Sequence, residues 1–277
     1  MTPLVVGLVL CAALLHATWN AVLRSGADRL WSITVMSLAT TAVALPFALV
    51  LPLPAPPSWP YLCFSSALQI GYSLFLVLTY RHAELGQAYP IVRGSVPLLV
   101  TLGAAVFAGE RLTALSLSGI ALVSFGIMSL AVRGGARKRS VAAALATGLF
   151  IASYTVTDGM GARLAGNAQA YAIWICLLYG VLMPLIFLAV RGKLTIDLGS
   201  SDTVRAAVGG MISLLGYAVV VWAMTLSPIG PVSALRETSI VFAALIGRVF
   251  LKEALTIRRL AACVGIAAGA FCLGYHP

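Results

Sequence analysis

The segment Ala88–Thr113 reads AYPIVRGSVPLLVTLGAAVFAGERLT. Up to Ala108 it is apolar and long enough to cross a bilayer, for which about 20 residues suffice. Yet Arg93 stands inside it, where an arginine at the bilayer centre costs about 2.5–3.5 kcal/mol on insertion scales. A second segment, Val232–Thr256, reads VSALRETSIVFAALIGRVFLKEALT and repeats the arrangement, with Glu237 beside its own arginine, Arg236. A shift of 143 residues superposes Arg93 on Arg236, Glu110 on Glu253, Thr113 on Thr256 and Gly126 on Gly269. Apolar matches are cheap in such a chain, but Arg, Glu and Thr at one offset are not.

Composition sets the solvent. The 277 residues are 61% hydrophobic and 9% charged, against roughly 25% charged for a soluble domain. This chain cannot cover itself in water. Continuous apolar runs, rather than the alternation of an outer-membrane barrel, point to helices. Ten spans are read: Leu4–Leu23, Leu30–Leu51, Tyr61–Tyr80, Ala88–Ala108, Leu115–Val132, Val141–Thr157, Ala168–Val190, Val204–Thr225, Pro231–Leu251 and Leu260–Leu273. The first lacks a basic leader and a small-residue cleavage site, so it is expected to remain as a membrane helix.

The repeat divides the spans five and five, over residues 1–135 and 136–277. Five is odd, so the second unit enters the membrane from the opposite side. The expected fold is an all-α integral membrane protein of ten transmembrane helices in two inverted five-helix repeats. Such a body can hold two similar arrangements, one open to each side.

The net charge of +10 does not indicate nucleic acid, because the basic residues fall mostly between spans. Arg24, Arg29, Arg81, Arg133, Arg137, Lys138, Arg139, Arg191, Lys193, Arg205, Lys252, Arg258 and Arg259 lie on one side, and only Arg111 and Arg163 on the other. The positive-inside rule then places both termini outside a cytoplasmic (inner) membrane, with Trp59 and Tyr61 as interfacial anchors. Lipid headgroups are the expected partners of the basic loops. The five cysteines occur in apolar segments with no CxxC spacing. They read as small buried hydrophobes, and no metal site or cofactor is expected.

HATWN at His16–Asn20, YPIVRGSVPLLV followed by GERLT, and ALRETSIVFAALIG followed by KEALT together resemble the drug/metabolite transporter superfamily, in its EamA-like ten-helix branch. The resemblance covers nearly the whole chain. It implies a substrate cavity between the two halves, and movement of a small metabolite without ATP. Many members of that family place both termini in the cytoplasm, whereas the charge count here favours outside.

Candidate binding residues follow. Arg93 is either a bundle-packed arginine satisfied by carbonyls or a cavity-facing cation for an anionic group. Tyr89, four residues earlier, shares its face. Pro90 and Pro97 free backbone carbonyls, as in helices that line a cavity. Glu237 must be paired with an arginine or protonated much of the time, since an unpartnered buried charge is costly. His16, with Trp19 one helical step away and Asn20 at i+4, is either hydrogen-bonded packing or a proton-coupling group. Tyr154 and Asp158 occupy the rough counterpart of that segment, with Asp158 read as a helix-end residue. Tyr72, Tyr217 and Trp222 are candidates for an aromatic wall. Glu110 and Glu253 read as structural, pairing with Arg111 or a loop cation. Gly119, Gly126, Gly265 and Gly269 read as packing positions, and Gly94 and Gly103 as places where the fourth span can slide or bend.

The reading that fits is a secondary transporter for an amino-acid-like zwitterion or an organic acid, with protons as a candidate coupling ion. It works as a monomer or homodimer. The alternatives are an exporter of cationic drugs or amines and a non-transporting membrane enzyme. The eight scattered acids form no DDxxD-type cluster for the latter.

Overall fold

A computed structural model describes residues 1–23, 28–82, 85–131, 138–250 and 256–275. Side chains are described over 1–20, 28–75, 89–131, 140–249 and 256–275. The helices are α1 Pro3–Leu23, α2 Arg29–Val50, α3 Trp59–His82, α4 Leu85–Phe107, α5 Ala114–Met128, α6 Lys138–Leu164, α7 Ala168–Arg191, α8 Ser201–Leu226, α9 Ile229–Arg236, α10 Ser239–Phe250 and α11 Ile257–Gly274. A 3₁₀ turn, Pro56–Ser58, precedes α3. Among the described residues, eight stretches are long and apolar enough to cross a membrane, and the helix Ala114–Met128 is apolar but shorter. The side chains of Arg24, Arg81, Arg133, Arg137, Lys138, Arg139, Lys252 and Glu253 lie outside the described residues.

Polar residues at helix starts decide where the apolar runs begin. Side chains of Asp28, Thr113, Asn167, Ser200 and Thr256 each accept from a backbone N–H in the first turn of the following helix. Each satisfies a donor that the helix itself leaves open. Thr113 and Thr256, matched by the 143-residue shift, do the same job for α5 and α11.

Two elements differ from the expected spans, and both differences fall on charged residues. The ninth span is broken: α9 ends at Arg236, α10 starts at Ser239, and Glu237 and Thr238 form the joint. There the helix tightens, with Glu237 N–H donating to the Ala234 carbonyl and Thr238 N–H to that of Leu235, both at 3.1 Å. These are the i→i−3 bonds of a 3₁₀ turn, a frequent mark of a functional joint within a helix. The sixth span runs on to Leu164, so Asp158 is inside α6 rather than at its end.

The packing is pairwise. α1 lies on α8, α3 on α6, α2 on α7, α5 on α11, α4 on α6, and α9 and α10 on α1. The central core is built from α1, α4, α6, α8 and α9, through Val9, Val96, Val100, Ile151, Met224 and Leu235. Outward faces are apolar too: Leu49, Phe64, Phe107, Phe125, Val181 and Phe271 are all exposed. A water-soluble monomer does not carry apolar surface on that scale, but a lipid-facing bundle does.

Without a hydrophobic force between helices in lipid, close backbone approach matters most. A Cβ on Gly269 would stand 2.6 Å from the Gly119 carbonyl oxygen, and one on Gly119 would stand 2.9 Å from that of Gly269. This reciprocal contact joins α5 to α11. Gly265 has open space around its Cα and takes no part, so only one end of the GIAAG pattern packs.

The cysteines are all free, but none is buried. Cys11 and Cys63 are exposed and the other three are partly exposed, which corrects the expectation of buried packing. They are accommodated because a thiol is compatible with an apolar surround.

Candidate functional site

The joint between α9 and α10 brings the intramembrane charges together. Glu237 is fully buried, with its side chain 0% exposed. Its Oε2 lies 2.9 Å from Arg93 Nε and its Oε1 3.3 Å from Arg236 Nη2. The Arg93 contact is an ion pair rather than an aligned hydrogen bond, since Arg93 Nε and Glu237 Oε2 both lack hydrogen-bond partners. Arg93 also sets Nη2 at 2.7 Å from His16 Nε2. A guanidinium has only donors, so the imidazole nitrogen accepts. One carboxylate thus carries two arginines, and Arg93 also meets a histidine from α1. Tyr72, Tyr89 and Tyr154 are close enough to Arg93 to interact with it electrostatically, and the rings of Tyr72 and Tyr154 are 5.9 Å apart.

The helices position these groups deep in the bundle. Glu237 follows an eight-residue helix, which spans about 12 Å at a rise of 1.5 Å per residue. Arg93 is eight residues into α4, farther in than a start at Ala88 implies. Pro97 lies inside α4 and cannot donate to the carbonyl four residues back, that of Arg93. The cluster has two cations and one anion. On α9, Arg236 Nε and Ser233 Oγ, three residues apart and so on one face, are buried and lack hydrogen-bond partners.

A second polar centre lies nearby. Asp158 is buried at 2% exposure. Its Oδ2 accepts from Tyr217 Oη at 2.7 Å and its Oδ1 from Tyr171 Oη at 3.2 Å. Ser65 of α3 also hydrogen-bonds the carboxyl, and Arg236 is near enough to act on it electrostatically.

A third arrangement closes one end of the bundle. Glu110 accepts from the Ile229 N–H at 2.8 Å and from Arg163 Nη2 at 2.6 Å. Arg163 also donates to the carbonyls of Met224 and Ser227. A carboxylate thereby caps the start of α9, where the helix dipole favours negative charge. The guanidinium holds the end of α8 against it.

Residues 138–275 match the model of the EamA-like transporter family. The chain belongs to this family. A solved crystal structure superposes with a TM-score of 0.76 over 97% of this chain and 94% of its own, at 20% sequence identity, a likeness of fold. No curated protein matches the chain.

In this EamA-like chain, His16, Arg93, Arg236 and Glu237 meet directly, with Tyr72, Tyr89 and Tyr154 around Arg93. The other sequence candidates are placed differently. Trp19 packs edge-on against His16, with ring centroids 5.1 Å apart. Asn20 donates to the backbone carbonyl of His16 at 2.8 Å, so its amide serves its own helix. Tyr217 belongs to the Asp158 centre, and Tyr72 pairs with Tyr154. Trp59 packs against Trp174, 5.2 Å between rings, and donates to the Pro54 carbonyl. Glu110 pairs with Arg163 of α6 rather than Arg111, and its cap on α9 was not legible in sequence. Ser233, Tyr171 and Ser65 carried no sequence signal: a serine or tyrosine in an apolar helix reads as packing until its neighbours are known.

Proposed function

We propose that this EamA-like protein is a secondary transporter that moves a small organic anion, as an organic acid or the carboxylate of an amino-acid-like zwitterion, across the cytoplasmic membrane. The observation that carries this reading is the unequal charge of the buried cluster, two arginines on one carboxylate. The excess cation matches an anionic group. Arg236 Nε and Ser233 Oγ, buried without partners, supply two donors on one face of α9. A carboxylate satisfies such donors and recovers part of the cost of burying them. A cationic drug or amine would add a third positive charge beside Arg93 and Arg236, which disfavours that alternative.

Transport proceeds by alternating access between two inverted five-helix halves. The helix contacts support this, because they map onto themselves when the first five spans are exchanged for the second five. α3–α6 exchanges with α8–α1, and α4–α6 with α9–α1, while α2–α7 and α5–α11 map onto themselves. The broken ninth span is the kind of discontinuous helix that binds substrate near the midplane in such folds. The Glu110–Arg163–Ile229 contact is the closed gate at the end where both termini lie. By the distribution of basic loops, that end faces outside.

Flux into proteoliposomes tests this, with a panel of organic acids, amino acids and amines. Saturable anion uptake by the wild type, at least tenfold weaker in Arg236→Ala at equal protein, is the expected result. Uptake of amines alone, or uptake indifferent to Arg236, refutes it.

A further inference from the structure

We propose that Asp158 is a proton-binding site, and that its proton travels with the anionic substrate. Among the described residues, Glu110, Glu237, Asp28 and Asp202 each have an arginine within ion-pair distance. Asp197 is exposed. Asp158 alone is buried with no such partner. A carboxylate held in a low dielectric without a paired cation loses its hydration and recovers only part of it through hydrogen bonds. The group becomes neutral by taking a proton more readily than it stays bare.

The surroundings fit both protonation states. As an anion, Asp158 accepts from Tyr217 at Oδ2 and from Tyr171 at Oδ1. As an acid, it carries an O–H and needs an acceptor. A tyrosine hydroxyl both donates and accepts, so either phenol can rotate to receive that proton. The ionic cluster lacks this freedom. Protonating Glu237 would leave two buried guanidiniums without an anion. Protonating His16 at Nε2 would set two cations 2.7 Å apart. Of the buried carboxyl and imidazole groups among the described residues, Asp158 is the one that can change charge without breaking an ion pair.

The groups that face Asp158 come from every element packed around it. α3 gives Ser65, α7 gives Tyr171 and Cys176, α8 gives Tyr217, α9 gives Arg236 and α6 itself gives Tyr154. From α4, Arg93 faces Tyr154. Among these, Arg236 is the fixed cation that supports an ionised Asp158. A substrate carboxylate that settles on Arg236 cancels that support and promotes proton uptake. Anion and proton then bind cooperatively, and by linkage each raises the affinity for the other. The coupled process is proton–anion symport. This coupling rests on the transporter reading above, whereas the proton site itself does not.

The test is pH-difference infrared spectroscopy on the purified full-length protein in lipid nanodiscs, with no substrate present. The C=O stretch of a protonated carboxyl should appear as pH falls. Asp158→Asn should lose that band. Tyr217→Phe, which keeps the carboxyl but removes a donor, should keep the band and shift both its frequency and its midpoint pH. A wild-type band unchanged in both variants overturns the proposal, as does the absence of any buried-carboxyl band. If Asp158→Asn fails to fold, the Tyr217→Phe shift alone decides. Because no substrate is used, a negative result removes the proton site and leaves the transporter reading intact, while failed flux does the reverse.

Discussion

Glu237→Gln isolates the charge of the central cluster from its packing. Glutamine keeps the shape of glutamate, so no cavity opens. Its amide oxygen can still accept from one guanidinium, but its NH₂ then faces the other, a donor against a donor. The wild-type cluster sums to one positive charge and the variant to two, with both arginines almost completely buried. Removing one partner of a buried ion pair costs about 3–5 kcal/mol, and here two ion pairs share the lost carboxylate. The upper part of that range is therefore expected. A thermal denaturation series in mild detergent should show a clear drop in midpoint for Glu237→Gln. Arg93→Met should also destabilise, by leaving His16 without its donor. The double variant Arg93→Met/Glu237→Gln restores the wild-type net charge of the cluster, and should recover at least half the loss caused by Glu237→Gln. That recovery is a coupling of the kind a double-mutant cycle measures. A double variant as unstable as the two single losses added together would refute the reasoning, as would a Glu237→Gln protein as stable as the wild type.

Other consequences are independent of that cluster. Glu110→Gln should weaken both the cap on α9 and the ion pair to Arg163. If the contact is a gate, the variant should raise cysteine-labelling rates at positions introduced beside Ile229 by several-fold, and unchanged labelling would exclude a gating role. Gly269→Leu should destabilise by at least 1–3 kcal/mol, the usual cost of overpacking, because its first carbon already collides with the Gly119 carbonyl. Gly265→Leu on the same helix should be near neutral, and equal losses for the two would refute the packing assignment. In proteoliposomes, an acidic exterior should accelerate anion uptake by the wild type and leave Asp158→Asn uptake unchanged with pH. Thr256→Ala should cost about 1 kcal/mol through the lost cap on α11, read as a lower melting midpoint.

The sequence made the intramembrane charges visible because a guanidinium in an apolar run needs an explanation wherever the run sits. Arg93, Arg236, Glu237 and His16 were legible for that reason, and so was the helical membrane fold. Asp158 reads as a helix-end residue because the apolar run of the sixth span stops at Thr157. The helix continues through GMGARL to Leu164, carried by contacts with Ile229, Tyr171 and Met224 that no local pattern encodes. The break at Glu237 was equally hidden. No proline or glycine marks it, and the joint forms where Glu237 meets charges from α4 and α9.

By itself the chain determined its solvent, its helical membrane class, and which of its apolar segments carry charge. Those properties depend on composition and spacing, and they would be the same however the helices were arranged. The tertiary structure decided which charge meets which: Glu237 with both arginines, Asp158 with two tyrosines, Glu110 with the start of α9. A partner is set by the rotation of each helix about its axis and by its depth beside a neighbour far away in the chain. Electrostatic energy in a low dielectric changes by several kcal/mol over a few ångströms, a distance that sequence spacing does not resolve.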